Sequence, residues 1–274
     1  MALLGRRLAI SIPDTVLEEK MSPRDKTAKL GLIARACAIY GVDVIEVFRD
    51  RRGGGEAEAI RRVLEYLETP QYLRRRLFPF DETLKFAGVL PPLRIPSHKP
   101  RVPLGRVAPG EVREGVVNPD GSVDVGLDEA PKLLDRAEPD RRVTVRISSI
   151  NPLAARVIGR SEVDGYWGYS VETKGVGEVL DDPRFKVKIA TSRLGTPLPQ
   201  ALPKLRTLLE EGSGVKLLFG SPSQGLFEMV GRDLHLKVDL VVNLFPGQQV
   251  ETVRTEEALF AGLGAIGLVS AEKA

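Results

Sequence analysis

The chain has 274 residues, 42% hydrophobic and 28% charged, which suits one large domain or two small ones with buried cores. With 40 basic and 37 acidic residues it carries +3, which permits nucleic-acid binding without requiring it. A lone cysteine, Cys37, excludes an intramolecular disulfide and fits a reducing, cytoplasmic setting. The interrupted apolar runs of "MALLGRRLAISIPDTV" fit neither a signal peptide nor a membrane anchor.

In chain order, "RRLAISIP" predicts a strand. "PRDKTAKLGLIARACAIYGV" predicts a helix, with Leu30, Ile33, Ala34, Cys37 and Ala38 at helical spacing and Gly41 as its stop. "VDVIEVFRD" reads as a strand, and "DRRGGGEAEAIRRVLEYLE" as a glycine loop opening a helix with Ile60, Val63, Leu64 and Leu67 on one face. This β-α-β-α order predicts a parallel sheet with crossover helices. From Pro91 to Gly165 the helical period is replaced by short strand-like pieces around turns such as Asn118-Pro119-Asp120-Gly121, which predicts a small β-barrel. The α/β pattern then resumes. "FKVKIATS", "GVKLLFGSP" and "LKVDLVVNLFP" read as strands, "LPQALPKLRTLLEEG" and "TEEALFAGLGAIGLV" as helices, and "QGLFEMVGRD" as a turn or short helix. The expected organisation is an α/β domain, 1–90 plus 166–274, interrupted by a β-barrel insert, 91–165.

The last helix contains a literal G-x-G-x-x-G: Gly262, Gly264 and Gly267. A dinucleotide fingerprint must open its helix, where N–H groups are free. Thr255 is the expected N-cap, so these glycines lie deep in the helix and read as a close-packing face. The better candidates are three strand-to-helix loops, because ligands of open α/β sheets bind beyond the carboxyl ends of strands. They hold Thr191-Ser192-Arg193 with Gly195, then Gly220-Ser221-Pro222 with Gly225, then Asn243 followed by Pro246-Gly247-Gln248-Gln249. Other chemistries find little support. His98 and His235 show no metal-ligand spacing, Cys37 sits in an apolar stripe, and His235 reads as a strand-edge residue. Trp167 is expected to pack where insert and main domain meet. Two basic clusters, Arg74-Arg75-Arg76 among aromatics and His98-Lys99 with Arg101, are candidate RNA contacts or ordinary solvated surface.

These loops, together with "IARACAIYGVDVIEVF", "LEYLETPQYLRRRLFP", "LKFAGVLPPL", "VREGVV", "RVTVR", "YWGYSVE" and "VNLFPGQQVETVRTEEA", resemble the SPOUT superfamily of RNA methyltransferases. The likeness is to the archaeal and eukaryotic branch with an OB-like insert, which includes rRNA uridine-N3 methyltransferases. The resemblance implies an α/β trefoil knot, S-adenosylmethionine as cofactor, no metal, an RNA substrate and a homodimer. It places the cofactor against Thr191, Ser192, Arg193, Gly195, Gly220, Ser221, Asn243, Leu244, Pro246, Gly247, Gln248, Thr252 and Val253. It also implies that Arg35, followed five residues later by Tyr40-Gly41, lies at the target nucleotide as a catalytic residue, and that the basic clusters hold RNA. Two alternatives share these features: a knotted RNA-binding assembly protein with little transfer activity, and a ribose 2′-O-methyltransferase. One departure is Gln249, where the branch usually carries glycine. A positive φ there would strain the loop by roughly 1 kcal/mol.

Overall fold

The computed structural model describes residues 7–18, 20–50, 55–211 and 214–271. In chain order the regular elements are β1 (Arg7–Pro13), α1 (Pro23–Tyr40), β2 (Val44–Arg49), α2 (Ala57–Glu68), α3 (Gln71–Leu77), β3 (Val112–Val117), β4 (Val123–Asp124), β5 (Lys132–Leu133), β6 (Arg142–Ile150) and β7 (Leu153–Val157). They continue as β8 (Ser170–Gly175), α4 (Val176–Asp181), β9 (Val187–Pro197), α5 (Leu198–Glu211), β10 (Gly214–Leu218), α6 (Leu226–Val230), α7 (Leu234–Lys237), β11 (Leu240–Asn243) and α8 (Thr255–Ala271). Of the expected glycine loop, Gly53 and Gly54 lie outside the described residues.

Two compact units emerge. One comprises the described residues of Met1–Glu65, Glu82–Pro91 and Tyr169–Ala274; the other comprises Tyr66–Asp81 and Pro92–Gly168. The second unit therefore includes α3 as well as the strand-rich segment.

The first unit is built on a six-stranded sheet ordered β11-β9-β10-β1-β2-β8, with every neighbouring pair parallel. Its central strands are buried on both faces, as β10 and β1 show by being apolar almost throughout. Helix α1 starts where Ser22 accepts the Asp25 N–H and stops at Gly41, whose φ of 68° is the left-handed conformation. Beneath α4, α6 and α7, Phe48, Val179, Leu180, Leu218, Leu226, Met229 and Leu234 form one apolar cluster. Two strand readings change. His235 lies in α7, not at a strand edge, its ring 4.9 Å from that of Phe227, and β8 pairs with β2 where no strand was expected. Cys37 is fully buried, and burial pushes its thiol pKa far up.

Charge also runs through this sheet. Glu46 on β2 and Lys216 on β10 are both completely buried, 2.7 Å apart. Lys174 joins Glu46, Glu172 and Asp182, while Arg184 joins Glu172 and Asp182. The three carboxylates approach one another as metal ligands do, yet each already faces a cation.

In the second unit the sheet order is β4-β3-β6-β7-β5. A bridge between Ser122 and Lys132, with hydrogen bonds Val123 N–H to Pro131 O and Leu133 N–H to Gly121 O, joins its two outer strands into a nearly closed barrel. Gly121 takes a φ of 80°, as its turn requires. Val117, Val123, Val125, Val143, Val145 and Ile147 fill the interior. Trp167 is buried within this unit and donates from its indole nitrogen to Glu114 Oε1 at 2.6 Å.

Candidate functional site

The site of the first unit begins with a register break. Along the β9–β11 pair, Val241 stands opposite Ala190 but Val242 stands opposite Thr196. Residues 191–195 therefore bulge out of the ladder. Gly195 makes this bulge sterically feasible: a Cβ there would lie 2.7 Å from the carbonyl carbon of Val242 and 2.8 Å from that of Val241. Thr191 Oγ1 donates to Leu218 O at 3.0 Å, and Asn243 Nδ2 donates to Arg193 O at 3.1 Å, so both neighbouring strands hold the bulge.

The second loop follows β10. Gly220 packs against its own loop so closely that a Cβ would meet Gln224 O at 2.8 Å. Ser221 N–H donates to Gln224 O, and Gln224 N–H returns to Ser221 Oγ. Ser223 Oγ donates to Glu18 Oε2 at 2.5 Å.

The third loop follows β11. Asn243 Oδ1 accepts the Phe245 N–H, Gln248 Nε2 donates to Val250 O, and Gln249 Nε2 donates to Gly247 O. The positive φ in this loop, 78°, falls on Gly247, whereas Gln249 is not among the positive-φ residues. The strain expected at Gln249 is therefore absent, because the turn places its left-handed residue two positions earlier. Thr255 is the first residue of α8, and its hydroxyl donates to Gly220 O at 3.2 Å instead of capping its own helix. The Arg254 N–H is met by Glu257 Oε2.

Together the three loops surround a cavity of about 350 Å³. Thr191, Ser192, Arg193, Gly220, Ser221, Asn243, Leu244, Gln248, Thr252 and Val253 line it. Gly195, Pro246 and Gly247 do not; they shape the backbone behind the lining. Sequence reasoning missed Phe219, Gln224, Phe227, Phe245, Glu251 and Ala258, which also border the space. Phe219 and Phe245 adjoin the recognised loop residues, a usable signal, whereas Phe227 and Ala258 arrive only through the packing of α6 and α8.

Among the described residues, no histidine or cysteine lines the cavity. The carboxylate of Glu228 accepts the Gly225 N–H. Arg193 is exposed at the bulge, and among the described residues its guanidinium has no partner. Gln224 Oε1 is buried and has no hydrogen-bond partner among the described residues. The lining thus combines hydroxyl and amide side chains with Arg193, Glu228 and Glu251.

None of the three GxGxxG glycines borders the cavity. Gly262 faces Leu217, Leu244 and Phe219, and a Cβ on Gly264 would meet the Tyr40 hydroxyl at 3.2 Å. These glycines are buried or half-buried packing positions inside α8, as the helical reading required. Arg35 is half-buried on α1 and does not border the cavity within this chain.

The basic candidates of the second unit are mostly engaged within it. Arg74 donates to the carbonyls of Leu67 and Thr69 and lies over the Tyr66 ring. Arg76 pairs with Asp140 at 2.7 Å, Lys99 with Glu111 at 3.1 Å, and Arg101 with Asp124 at 3.5 Å. Arg75 is exposed and has no partner among the described residues.

His98 donates from Nε2 to Glu68 O at 2.6 Å, while its Nδ1 is buried and unpartnered. Burial lowers its pKa from 6.5 to about 4. The unfolded chain therefore takes up a proton on this residue before the folded chain does. The contribution of neutral His98 to stability is fully present above pH 6.5 and is lost as pH falls toward 4. Urea midpoints are expected to decline across that window, with a shallower decline in His98→Gln; identical slopes would remove His98 as the cause.

A cavity beyond the carboxyl ends of parallel strands, bordered by three loops, is where open α/β sheets bind their ligands. The family model described as "Putative RNA methyltransferase" matches residues 7–266. The chain belongs to that family of RNA methyltransferases, within the SPOUT superfamily. An uncharacterized protein of Halobacterium salinarum is 35% identical, over 95% of this chain and 98% of its own length. One from Haloarcula marismortui is 32% identical over 95% and 98%. The 28S rRNA (uridine-N(3))-methyltransferase of Homo sapiens is 32% identical over 96% of this chain and 79% of its own length. Among the described residues no helix is long and apolar enough to cross a membrane.

Proposed function

We propose that the chain methylates N3 of a uridine in rRNA, using S-adenosylmethionine. The observation that carries this reading is the three-loop cavity, its loops packed tightly at Gly195 and Gly220, in a chain 32% identical to a 28S rRNA (uridine-N(3))-methyltransferase. The cofactor fits the residues present. Hydroxyl and amide side chains line the space, the buried Gln224 Oε1 suits an N–H donor such as an exocyclic amine, and Gly195 and Gly220 let the loops pack closely on their neighbours. When bound, S-adenosylmethionine supplies an electrophilic methyl group. Residues 191–193, Gly220, Ser221 and the 243–253 loop would hold it, with Gly195, Pro246 and Gly247 shaping the loops. The reading includes a trefoil knot formed by β11 and α8, supported by the close seating of Gly195 on β11 and of Thr255 on Gly220. It also includes an OB-like, RNA-holding role for the barrel and action in the cytoplasm.

The chain's own contribution is alignment and charge stabilisation. Uridine N3 must lose its proton as the new N–C bond forms, and negative charge spreads over the two flanking carbonyls. An arginine beside them stabilises that charge while the proton passes to water. Arg35 is assigned this role in a homodimer, from the partner copy. It lies between Leu32 and Ile39 on one stripe of α1, and these leucine and isoleucine side chains are 49% and 52% exposed. Leu268 on α8, which packs against α1, is 66% exposed. A second copy covering this surface buries apolar area and seats Arg35 in an interface.

Two measurements test the reading. Isothermal titration with S-adenosylmethionine is expected to show binding, and its absence at millimolar cofactor favours an assembly protein. Mass spectrometry of nuclease-digested, enzyme-treated rRNA is expected to show 3-methyluridine; a ribose-methylated nucleoside would move the reaction to the 2′-oxygen. Arg35→Ala is expected to slow transfer by about 10²-fold with cofactor affinity retained. Full transfer with normal RNA binding would end its catalytic role.

A further inference from the structure

On the barrel, β6 and β7 pair antiparallel with Arg146 directly opposite Arg156. Val145 and Ile147, which flank Arg146, are buried, and so is Ala155 before Arg156. Strand alternation therefore turns both arginines to the outer face. Like charges directly opposite one another destabilise a strand pair.

Elsewhere in this unit buried acids offset such charge. Arg142 pairs with Glu68 and Glu114, both at 2.7 Å, and Arg160 pairs with Glu68 at 3.1 Å. The opposed pair lacks this. The only side-chain hydrogen bond of Arg146 among the described residues goes from its guanidinium to the Glu162 backbone carbonyl at 3.0 Å. Arg156 is exposed, and its guanidinium has no hydrogen-bond or ion-pair partner among the described residues. Asp135, following β5, receives the Val157 N–H at 2.8 Å and pairs with neither arginine. Leu134, whose N–H bonds Ala155 O beside this strip, is 51% exposed.

We propose that this β6–β7 strip, centred on Arg146 and Arg156, docks the phosphodiester backbone of the RNA substrate, with Leu134 giving an adjacent apolar surface for a base. The proposal rests on the RNA-methyltransferase reading above and names a contact surface that the basic-cluster pattern of the sequence did not show. Two uncompensated guanidinium groups side by side on a sheet face complement consecutive phosphates, and bound phosphate removes the repulsion between them. RNA is favoured over an acidic protein because the chain belongs to an RNA methyltransferase family.

The test uses the full chain, a fluorescein-labelled single-stranded oligouridine and total rRNA, with binding followed by anisotropy over a salt series. Each Arg→Gln change is expected to weaken binding roughly fivefold at 0.1 M salt and to lower the salt slope by about 0.7, the value for one neutralised phosphate on a single strand. The Arg146→Lys/Arg156→Lys variant is expected to keep the slope. Arg156→Glu sets an acid opposite Arg146, so its Tm is expected to rise while RNA binding falls furthest. That opposition separates a binding role from a structural one. S-adenosylmethionine affinity is expected to stay unchanged throughout.

Unaltered RNA affinity and salt slope in Arg146→Gln/Arg156→Gln would overturn the proposal, including in favour of an acidic protein partner. In that case wild-type methyl transfer to rRNA would leave the enzymatic reading standing. Wild-type RNA binding without methyl transfer, but weakened by these substitutions, would sink that reading and keep the strip. A wild-type chain that binds no RNA would end both.

Discussion

Gly195→Ala is expected to lower the affinity for S-adenosylmethionine by about tenfold to a hundredfold, the equivalent of roughly 1–3 kcal/mol of overpacking. The new methyl would stand 2.7–2.8 Å from backbone atoms of Val241 and Val242, and a strand backbone cannot rotate aside as a side chain can. Either β11 moves away from β9 or the 191–195 bulge tilts, and both displace Asn243, whose amide ties the two loops together. Gly177 provides the control. It lies in α4 with open space where its Cβ would go, so Gly177→Ala is expected to add about 0.5–1 kcal/mol of stability and leave cofactor binding alone. Isothermal titration and urea unfolding on both variants decide the matter. Equal cofactor affinities would show that the bulge is not the rigid wall inferred from its packing.

Glu46→Ala is expected to cost about 3–5 kcal/mol of unfolding free energy, because it strands a buried cation. Glu46 Oε2 accepts from Ser11 Oγ and Lys216 Nζ, both at 2.7 Å, and Oε1 accepts from Lys174 at 2.8 Å. Without the carboxylate, Lys174 keeps Asp182 and Glu172, but among the described residues Lys216 keeps only the Val179 carbonyl at 2.7 Å and the Phe185 ring. Burial already pushes the Lys216 pKa down, so the stranded ammonium would partly neutralise and the loss would shrink at alkaline pH. Replacing the pair together, as Glu46→Leu/Lys216→Met, is expected to recover much of the loss, since buried ion pairs are often matched by apolar side chains. Urea unfolding of the two single variants and the double closes the cycle. A loss below about 1 kcal/mol in Glu46→Ala would mean that water reaches the pair.

Much of the α/β unit was legible because its signals are local. Ser22, Pro23 and Gly41 delimit α1, and alternation or apolar runs mark β1, β2, β10 and β11. β8, "SVETKG", escaped notice because its burial is intermediate along nearly its whole length and it carries the charges of the Glu46 network. The two-residue β5 was equally invisible, since only its pairing with β7 and the bridge to Ser122 makes it a strand.

The sequence by itself determined the three glycine-bearing loops, their order, and the exclusion of the GxGxxG as a phosphate cradle. Strand, turn and capping preferences are set by neighbouring residues. Only the tertiary structure decided what those loops enclose and which cations are available. Whether Gly247 or Gln249 takes the left-handed φ depends on how the whole loop closes between β11 and α8. Whether an arginine is spent or uncompensated depends on residues distant in sequence: Arg76 meets Asp140 and Asn118, Arg142 meets Glu68, and Arg156 faces Arg146 across a ladder. A composition with +3 net charge contains all of these arginines alike. Strand register, which no local pattern encodes, separates the ones that hold the fold from the ones that face outward.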